Sequence, residues 1–163
     1  MKNLKRLLKQ PLKAVPNSVV IFMFIVALIG FADATYLTIE HFRGVIPPCS
    51  LTADCDLVLT SSYAIVFGIP VALVGALYYL LTLIGLFAYI DTKNTALLKW
   101  TLLFTIFGLL ASFALIYIQV FVLYSYCMYC IGSALVSTIL FITAMEVIEK
   151  YRIIDINDEY YIK

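Results

Sequence analysis

The four cysteines of this 163-residue chain form two groups that could carry out thiol–disulfide exchange. Cys49 and Cys55 are separated by five residues, and Cys127 and Cys130 form a C-x-x-C pair. Residues three apart on a helix lie on one face, so Cys127 and Cys130 need little adjustment to form a disulfide. Such a disulfide closes a very short loop and adds little entropic stability. The C-x-x-C spacing therefore favours a redox role over a structural one.

The expected position of the C-x-x-C pair indicates what it could react with. We expect Cys127 in the first turn of the last helix, where unpaired amides and the helix dipole favour a thiolate. Cys130 would lie about 4.5 Å further along the helix axis. A pair spanning that depth could pass two electrons between a protein dithiol in water and a lipid-soluble carrier such as a quinone. Cys49 and Cys55 would then be the shuttle pair.

Two other uses of the cysteines stay open at this point. Because the compartment outside the cytoplasm is oxidising, each group could simply form a structural disulfide. Four thiolates could also bind zinc. The five-residue spacing of Cys49 and Cys55 is wider than zinc sites usually have, and half of such a site would lie in the bilayer, so we predict no metal.

The elements that position these cysteines are predicted by hydropathy. With 64% hydrophobic residues, 13% charged residues and a mean hydropathy of +1.03, the chain has the composition of a membrane protein. A spanning helix needs about 20 apolar residues. The sequence therefore predicts an all-α integral membrane protein, a bundle of four transmembrane helices. The predicted spans are 17–39, 68–90, 97–124 and 126–148.

The positive charges predict the orientation of these spans. Ten of the eleven Lys and Arg residues lie in the N-terminal segment 1–16, between the second and third spans or at the very start of the third (Lys99), or after the fourth. By the positive-inside rule, segment 1–16 and the tail 149–163 are cytoplasmic. The protein is then expected in the cytoplasmic (inner) membrane with all four cysteines outside. This orientation explains the basic leader, so we predict no nucleic-acid binding. The first apolar run is too long for a signal peptide and lacks a small-residue cleavage site.

The outer loop, residues 40–67, carries the first cysteine pair. Pro47 and Pro48 stop the first helix before Cys49. Residues 56–67 are too short to span and too apolar to extend into water, so we expect a short re-entrant or interfacial helix there. Ser61 or its neighbours could cap it. Gly68-Ile69-Pro70 would begin the second span, with the proline in its first turn.

Two further polar residues are candidates for proton transfer. Asp33 is an acid inside the first predicted span, close to its outer end, and such residues are costly enough to suggest function. It could accept protons released by the thiols or merely be polar near a helix end. His41, the single histidine, could relay protons or mark the membrane boundary.

The sequence resembles the vitamin K epoxide reductase family, in its prokaryotic branch, over nearly the whole chain. Five motifs carry the resemblance. They are Gly30 to Thr38 followed by Glu40-His41, Cys49-x5-Cys55-Asp56, Thr60-Ser61-Ser62, Phe67-Gly68-Ile69-Pro70 and Cys127-x-x-Cys130. The DsbB type of enzyme has the two cysteine groups in the opposite order.

The resemblance implies a four-helix bundle around a quinone of the ubiquinone or menaquinone type. In the family pattern, Cys130 contacts the quinone, Cys127 exchanges disulfides with Cys55, and Cys55 exchanges with Cys49. Ser61 matches a hydroxyl position near the active site, where it could donate to a quinone oxygen or act as a cap.

The resemblance also implies a task. Where the animal enzymes carry an asparagine and a tyrosine against the substrate, this chain has Ala64 and Ala134, which argues against epoxide reduction. We expect a disulfide-forming enzyme whose thioredoxin-like (DsbA-type) partner is a separate protein outside the cytoplasm. Two alternatives are a reductase of a quinone or vitamin K type substrate that runs the relay in the opposite direction, and a non-enzymatic membrane protein stapled by disulfides.

Overall fold

Four long apolar helices build the protein. The structure is a computed structural model that describes residues 14–48 and 55–161, with side chains described as far as residue 151. Each long helix is apolar and long enough to cross a membrane. The helices are α1 (Asn17–Arg43), the short α2 (Cys55–Thr60), α3 (Val71–Thr92), α4 (Thr95–Tyr117, continued by a π-helical turn over Ile118–Leu123) and α5 (Met128–Tyr161). The predicted all-α membrane bundle, with a short helix between the first two spans, is confirmed.

The long helices pack as a closed ring. Helix α1 contacts α3 and α5, and α4 contacts the same two helices. Tyr79 is buried in the centre, and its hydroxyl bonds to the hydroxyls of Ser133 and Ser137 at 3.0 and 2.9 Å, which ties α3 to α5. The outward faces are apolar as well: Phe107 is 66% exposed. A helix that is apolar all round is suited to lipid, where packing and polar contacts decide which face turns inward.

Contacts at one end of the bundle place the start of α1 beside the turn between α3 and α4. The Lys93 ammonium donates to the Asn17 side-chain oxygen at 2.7 Å, and the backbone N–H of Val15 donates to the Tyr89 hydroxyl at 2.8 Å. Because the helices alternate in direction, the segments that carry Cys55 and Cys127 lie at the opposite end. The start of α1 and the middle turn therefore share one end of the bundle.

Capping groups set helix ends that hydropathy could only approximate. Helix α1 runs past residue 39 to Arg43 and stops at Gly44, whose φ of 66° lets its N–H bond back to the carbonyls of Glu40 and His41. Helix α4 begins after Asn94, whose side-chain oxygen accepts the backbone N–H groups of the next turn. Helix α5 continues beyond residue 148 without a break.

A small hairpin precedes α3 where the sequence predicted helix. Strand β1 (Ile65–Val66) pairs with strand β2 (Ile69–Pro70) in antiparallel fashion. Phe67 and Gly68 form the turn with φ of 52° and 80°, the conformation that two-residue hairpin loops favour. The expectation that residues 68–70 form the first helical turn is therefore wrong, since Pro70 precedes the helix as its N-cap residue.

Candidate functional site

Cys127 lies immediately before α5 rather than inside its first turn. Its carbonyl accepts the N–H of Ile131 at 3.0 Å, which makes it the residue that starts the helix. The side chain is 0% exposed. Its sulfur accepts the S–H of Cys130 and the backbone N–H groups of Cys130 and Tyr129. The Cys130 hydrogen bond, supported by these amides, outweighs burial and lowers the pKa of Cys127 from 9.0 to about 7.

Gln119 contacts both members of the C-x-x-C pair, and the sequence analysis missed it. The residue is 3% exposed and lies in the π-helical turn that ends the third span. Its side-chain oxygen accepts the backbone N–H of Cys127 at 3.1 Å, and its side chain also hydrogen-bonds the Cys130 sulfur. A polar amide inside an apolar span is costly enough to suggest function. That signal was present in the sequence.

Cys55 and Cys127 lie in the same apolar cluster. Cys55, the first residue of α2, is disulfide-bonded and 1% exposed. It packs with Val58 and Cys127, and Leu59 and Leu123 close over them. Cys127 and Cys130 are free thiols. Cys49 lies outside the described residues. Because a disulfide sulfur is not a thiolate, Cys55 does not offer the ligand that a four-thiolate zinc site would need.

A cavity of about 400 Å³ lies beside this cluster, between the four long helices and the segment that contains α2 and the hairpin. Its volume is within the range of small-molecule sites. Half-buried Cys130 forms part of its wall. The other candidates from the sequence that line it are Ser61, Asp33 and His41. Ala64 and Ala134 line it too, which are the positions where the resemblance implied substrate contacts.

Ser61 does not cap a helix with its side chain. It precedes a 3₁₀ turn over Ser62–Ala64 without making a side-chain cap, so the expected capping role is wrong. Its hydroxyl instead donates to the Val58 carbonyl at 2.8 Å. This bond fixes the hydroxyl at the cavity wall, with its oxygen lone pairs available as acceptors.

The two proton-transfer candidates both lie on α1 at the cavity. Asp33 interacts electrostatically with Cys127 and Cys130. Its Oδ2 is buried and has no hydrogen-bond partner among the described residues. A buried carboxylate oxygen without a partner is uncommon in proteins and is expected where a proton or a ligand is exchanged. His41 lines the cavity in the last turn of α1, and its ring meets the Phe42 ring edge-on, with centroids 5.8 Å apart.

Glu40 and Arg43 form an ion pair at the end of α1, close to His41 in sequence. The Arg43 guanidinium donates to the Glu40 carboxylate at 3.2 Å, and Glu40 is 8% exposed and lines the cavity. Arg43 is the one Lys or Arg that lies outside the three positive segments. Its pairing with a buried carboxylate gives it a role at this end of the bundle.

Tyr129, the second residue of α5, links the C-x-x-C pair to the outer loop. Its hydroxyl donates to the carbonyl of Pro48 at 3.1 Å, and its ring lies 5.9 Å from the Tyr36 ring. Tyr129 therefore fixes the chain immediately before Cys49 to the helix that carries Cys130.

Comparison with known proteins identifies the family of the chain. The model of the vitamin K epoxide reductase family matches residues 21–145, well over half of the chain. The chain belongs to this family. The predicted family is thereby confirmed, and the protein is a multi-pass membrane oxidoreductase of a family that acts with quinones and usually with thioredoxin-like partners. No curated protein matches the chain significantly.

Proposed function

We propose that this member of the vitamin K epoxide reductase family is a quinone-dependent, disulfide-forming oxidoreductase. It would oxidise a separate thioredoxin-like (DsbA-type) partner and pass the electrons through two cysteine pairs to a membrane quinone. One observation carries the proposal: Cys130 lies in the wall of an apolar cavity, and its partner Cys127 packs against the disulfide-bonded Cys55. This arrangement connects a disulfide near the outer loop with a site for a lipid-soluble molecule.

The residues that line the cavity fit a quinone ring. Alanines at positions 64 and 134 leave its wall apolar, and the Cys130 sulfur and the Ser61 hydroxyl supply polar contacts. A quinone of the ubiquinone or menaquinone type would supply a two-electron, two-proton acceptor. Without an asparagine and a tyrosine at these two positions, the cavity lacks the two substrate contacts that the resemblance implies for the animal enzymes.

The proposed relay balances in electrons and protons. The partner's two thiols become a disulfide and give up two electrons and two protons, while the Cys49–Cys55 disulfide opens to two thiols. That dithiol closes again as it reduces the Cys127–Cys130 disulfide, and the second pair returns to a disulfide when its two electrons and two protons pass to the quinone. The described state, with Cys55 in a disulfide and two free thiols in the second pair, corresponds to the point before that last step.

The low pKa of Cys127 supports this sequence of exchanges. When Cys49 attacks Cys55 in a mixed disulfide with Cys127, the Cys127 sulfur leaves as a thiolate, and low-pKa thiols leave faster. Hydrogen bonds that lower the pKa of Cys127 to about 7 therefore speed the release of the second pair from the first.

Asp33 is the proposed acceptor for the Cys130 proton. It interacts with both sulfurs, and its buried Oδ2 has no hydrogen-bond partner within the described part of the chain. His41 lines the same cavity near the end of α1. We propose that protons from the thiols pass through Asp33 to the quinone, and that His41 exchanges protons between this site and the outer surface.

The proposed location is the cytoplasmic membrane, with both termini inside and the cysteines outside. Ten of the eleven Lys and Arg residues in segments on one predicted side support this orientation. The contacts that bring the start of α1 beside the α3–α4 turn support it as well.

The proposal is tested by adding a reduced thioredoxin-like protein to the purified enzyme and following quinone absorbance. Wild-type protein should reduce quinone as the added protein forms its disulfide. Cys130→Ser should stop quinone reduction while a mixed disulfide with the added protein still accumulates. Met128→Leu, a change at an exposed position of the same helical turn, is the matched control and should turn over normally. Unchanged turnover in Cys130→Ser would contradict the proposed function.

A further inference from the structure

The Tyr79 hydroxyl joins a small network of polar groups in the centre of the apolar bundle. It lies 2.9 Å from the Ser133 carbonyl, 3.0 Å from the Ser133 hydroxyl and 2.9 Å from the Ser137 hydroxyl. Tyr79 and Ser137 are 1% and 3% exposed, so bulk water does not reach them. Ser133 is half-buried and forms part of the cavity wall. The network therefore meets the cavity through Ser133.

The bond to the Ser133 carbonyl fixes where the protons of this network lie. A carbonyl oxygen can only accept, so the Tyr79 O–H donates to it. A phenol has a single proton, and the Tyr79 oxygen must then accept from the hydroxyls of both Ser133 and Ser137. The Ser133 proton points toward Tyr79 in this arrangement.

The same groups allow a second arrangement, in which Ser133 donates into the cavity. The Tyr79 O–H then turns to the Ser133 hydroxyl oxygen, and Ser137 continues to donate to Tyr79. Every hydroxyl proton keeps a partner, and the Ser133 carbonyl still accepts the N–H of the next turn of α5. A hydroxyl that accepts one hydrogen bond donates more strongly in the next, because each bond polarises its neighbour. Tyr79 would therefore strengthen Ser133 as a donor to a molecule in the cavity.

Three other hydroxyls at the cavity wall have a different kind of partner. Those of Thr60, Ser61 and Ser112 each donate to a backbone carbonyl three or four residues earlier in the chain. A carbonyl has no proton to give back, so it cannot support any of these hydroxyls that turns toward a ligand. Of these four hydroxyls, Ser133 is the one whose partner can donate to it in return.

The position of Ser133 on α5 suits the ring proposed for this cavity. Cys130 and Ser133 are three residues apart, so they lie on one face of the helix, about 4.5 Å apart along its axis. Both line the cavity. A quinone carries its two carbonyl oxygens on opposite sides of the ring, and both oxygens accept hydrogen bonds. A ring that meets Cys130 on one side therefore needs a donor further along the helix, toward the middle of the bundle.

We propose that Ser133 donates a hydrogen bond to the quinone carbonyl that lies further from Cys130, and that Tyr79 is the positioning residue that supports this bond. The inference rests on the proposed function, because it requires a quinone in the cavity. A single contact at Cys130 would leave the ring free to rotate. A second contact at Ser133 fixes the orientation of the ring relative to the sulfur, which a reaction between the two requires.

The test is quinone binding to the purified full-length protein in lipid bilayers, with menadione and a short-chain ubiquinone as probes. An excess of quinone and the omission of any reducing protein keep the bound molecule oxidised. Ser133→Ala removes the donor and should weaken binding about fivefold. Ser112→Ala, which removes another hydroxyl from the same cavity wall, is the matched control and should bind like the wild type.

Infrared spectra of the bound probe separate a lost hydrogen bond from a change in cavity shape. A hydrogen bond weakens a C=O bond and lowers its stretching frequency, and an isotope label on one carbonyl carbon distinguishes the two carbonyls. We expect Ser133→Ala to move one carbonyl band to higher frequency and to leave the other in place. Tyr79→Phe keeps Ser133 but removes its support, so it should move the same band part of the way.

The outcomes separate this proposal from the proposed function. Equal affinity and equal carbonyl bands in Ser133→Ala and the wild type would overturn the role of Ser133. An unmoved band in Tyr79→Phe, in a protein that still unfolds cooperatively, would overturn the supporting role of Tyr79. Ser133→Ala decides the main claim if Tyr79→Phe does not fold. A wild-type protein that binds neither probe would overturn both proposals, whereas one that binds quinone and never reduces it would overturn only the proposed function.

Discussion

Cys55 and Cys127 come from distant parts of the chain, yet they are 1% and 0% exposed in a single apolar cluster. Val58 and Leu123 exclude water around them. Thiols in solution therefore have no direct access to either sulfur. Exchange between the two cysteine pairs can proceed here without competition from soluble thiols, which is what an ordered relay requires.

The rate of exchange through Cys127 should have a midpoint near neutral pH. Hydrogen bonding from Cys130 lowers the pKa of Cys127 from 9.0 to about 7, so the thiolate predominates above that pH and is lost below it. Attack of the Cys127 thiolate on the disulfide of Cys55 forms a Cys55–Cys127 disulfide and releases the former partner of Cys55 as a thiol. The rate of this step should rise about tenfold per pH unit up to the midpoint and level off above it. Acid quenching followed by mass spectrometry would measure it, and a midpoint near 9 would contradict the hydrogen-bonding pattern.

Replacement of Cys130 should show how far its hydrogen bond lowers the pKa of Cys127, apart from its role in electron transfer. Cys130→Ala leaves Cys127 without the S–H that contributes most to its lowered pKa, so its titration midpoint should rise toward 9.0. Cys130→Ser retains a hydroxyl donor and should stay closer to the wild type. Thiolate absorbance against pH compares the two variants directly. Equal midpoints for alanine and serine would show that the amides of α5, not Cys130, hold the charge.

Replacement of the cavity carboxylate tests the proton path. Asp33→Asn keeps the size of the side chain but cannot accept a proton, and quinone reduction should slow by about 100-fold. The titration midpoint of Cys127 should fall at the same time, because the Asp33 charge raises the pKa of that thiol. Thr35→Val removes another buried oxygen that has no hydrogen-bond partner in the described part of the chain, and this control should keep full turnover. Normal turnover in Asp33→Asn would exclude it as the proton acceptor.

The bond between Tyr129 and Pro48 should hold the outer loop against α5. Tyr129→Phe removes only the hydroxyl that donates to the Pro48 carbonyl and keeps the ring beside Tyr36. The loss of one hydrogen bond costs about 1 kcal/mol, so backbone amides before Pro47 should exchange hydrogen about fivefold faster. Tyr124→Phe, at a residue that is 81% exposed, provides the matched control. Equal exchange in both variants would show that the loop is held elsewhere.

Close packing at Gly30 should make this position intolerant of a methyl group. A Cβ atom there would come within 2.5 Å of the Tyr79 ring, whose hydroxyl bonds Ser133. Gly30→Ala should destabilise the bundle by about 1–3 kcal/mol and lower its thermal unfolding midpoint. At Gly132, on α5, a Cβ would have no neighbour within 4 Å, so Gly132→Ala should unfold like the wild type. A loss in both variants would point to backbone effects instead of packing.

The amino-acid sequence by itself determined the features that depend on local order. The lengths of the apolar runs predict four spans, and the alternation of those spans with the positive segments predicts that both cysteine groups lie at one end. The C-x-x-C spacing at a helix start predicts an activated first thiol. These signals are local, because a span or a helix start depends on neighbouring residues. The role of Cys49 stays a prediction, because this residue lies outside the described part of the chain.

Tertiary structure alone decided which polar groups contact the thiols of the C-x-x-C pair. Since the four helices are apolar on every face, no periodicity distinguishes inward residues from lipid-facing ones. The bond of the Gln119 side chain to the Cys127 N–H depends on how the third span packs against the start of α5, and the contact of Tyr129 with Pro48 depends on how the outer loop returns to α5. Likewise, no sequence pattern predicts the left-handed backbone conformation of Phe67 in the hairpin turn. Long-range packing selects such contacts, so the sequence places the cysteines and the tertiary structure assigns the groups that control their charge.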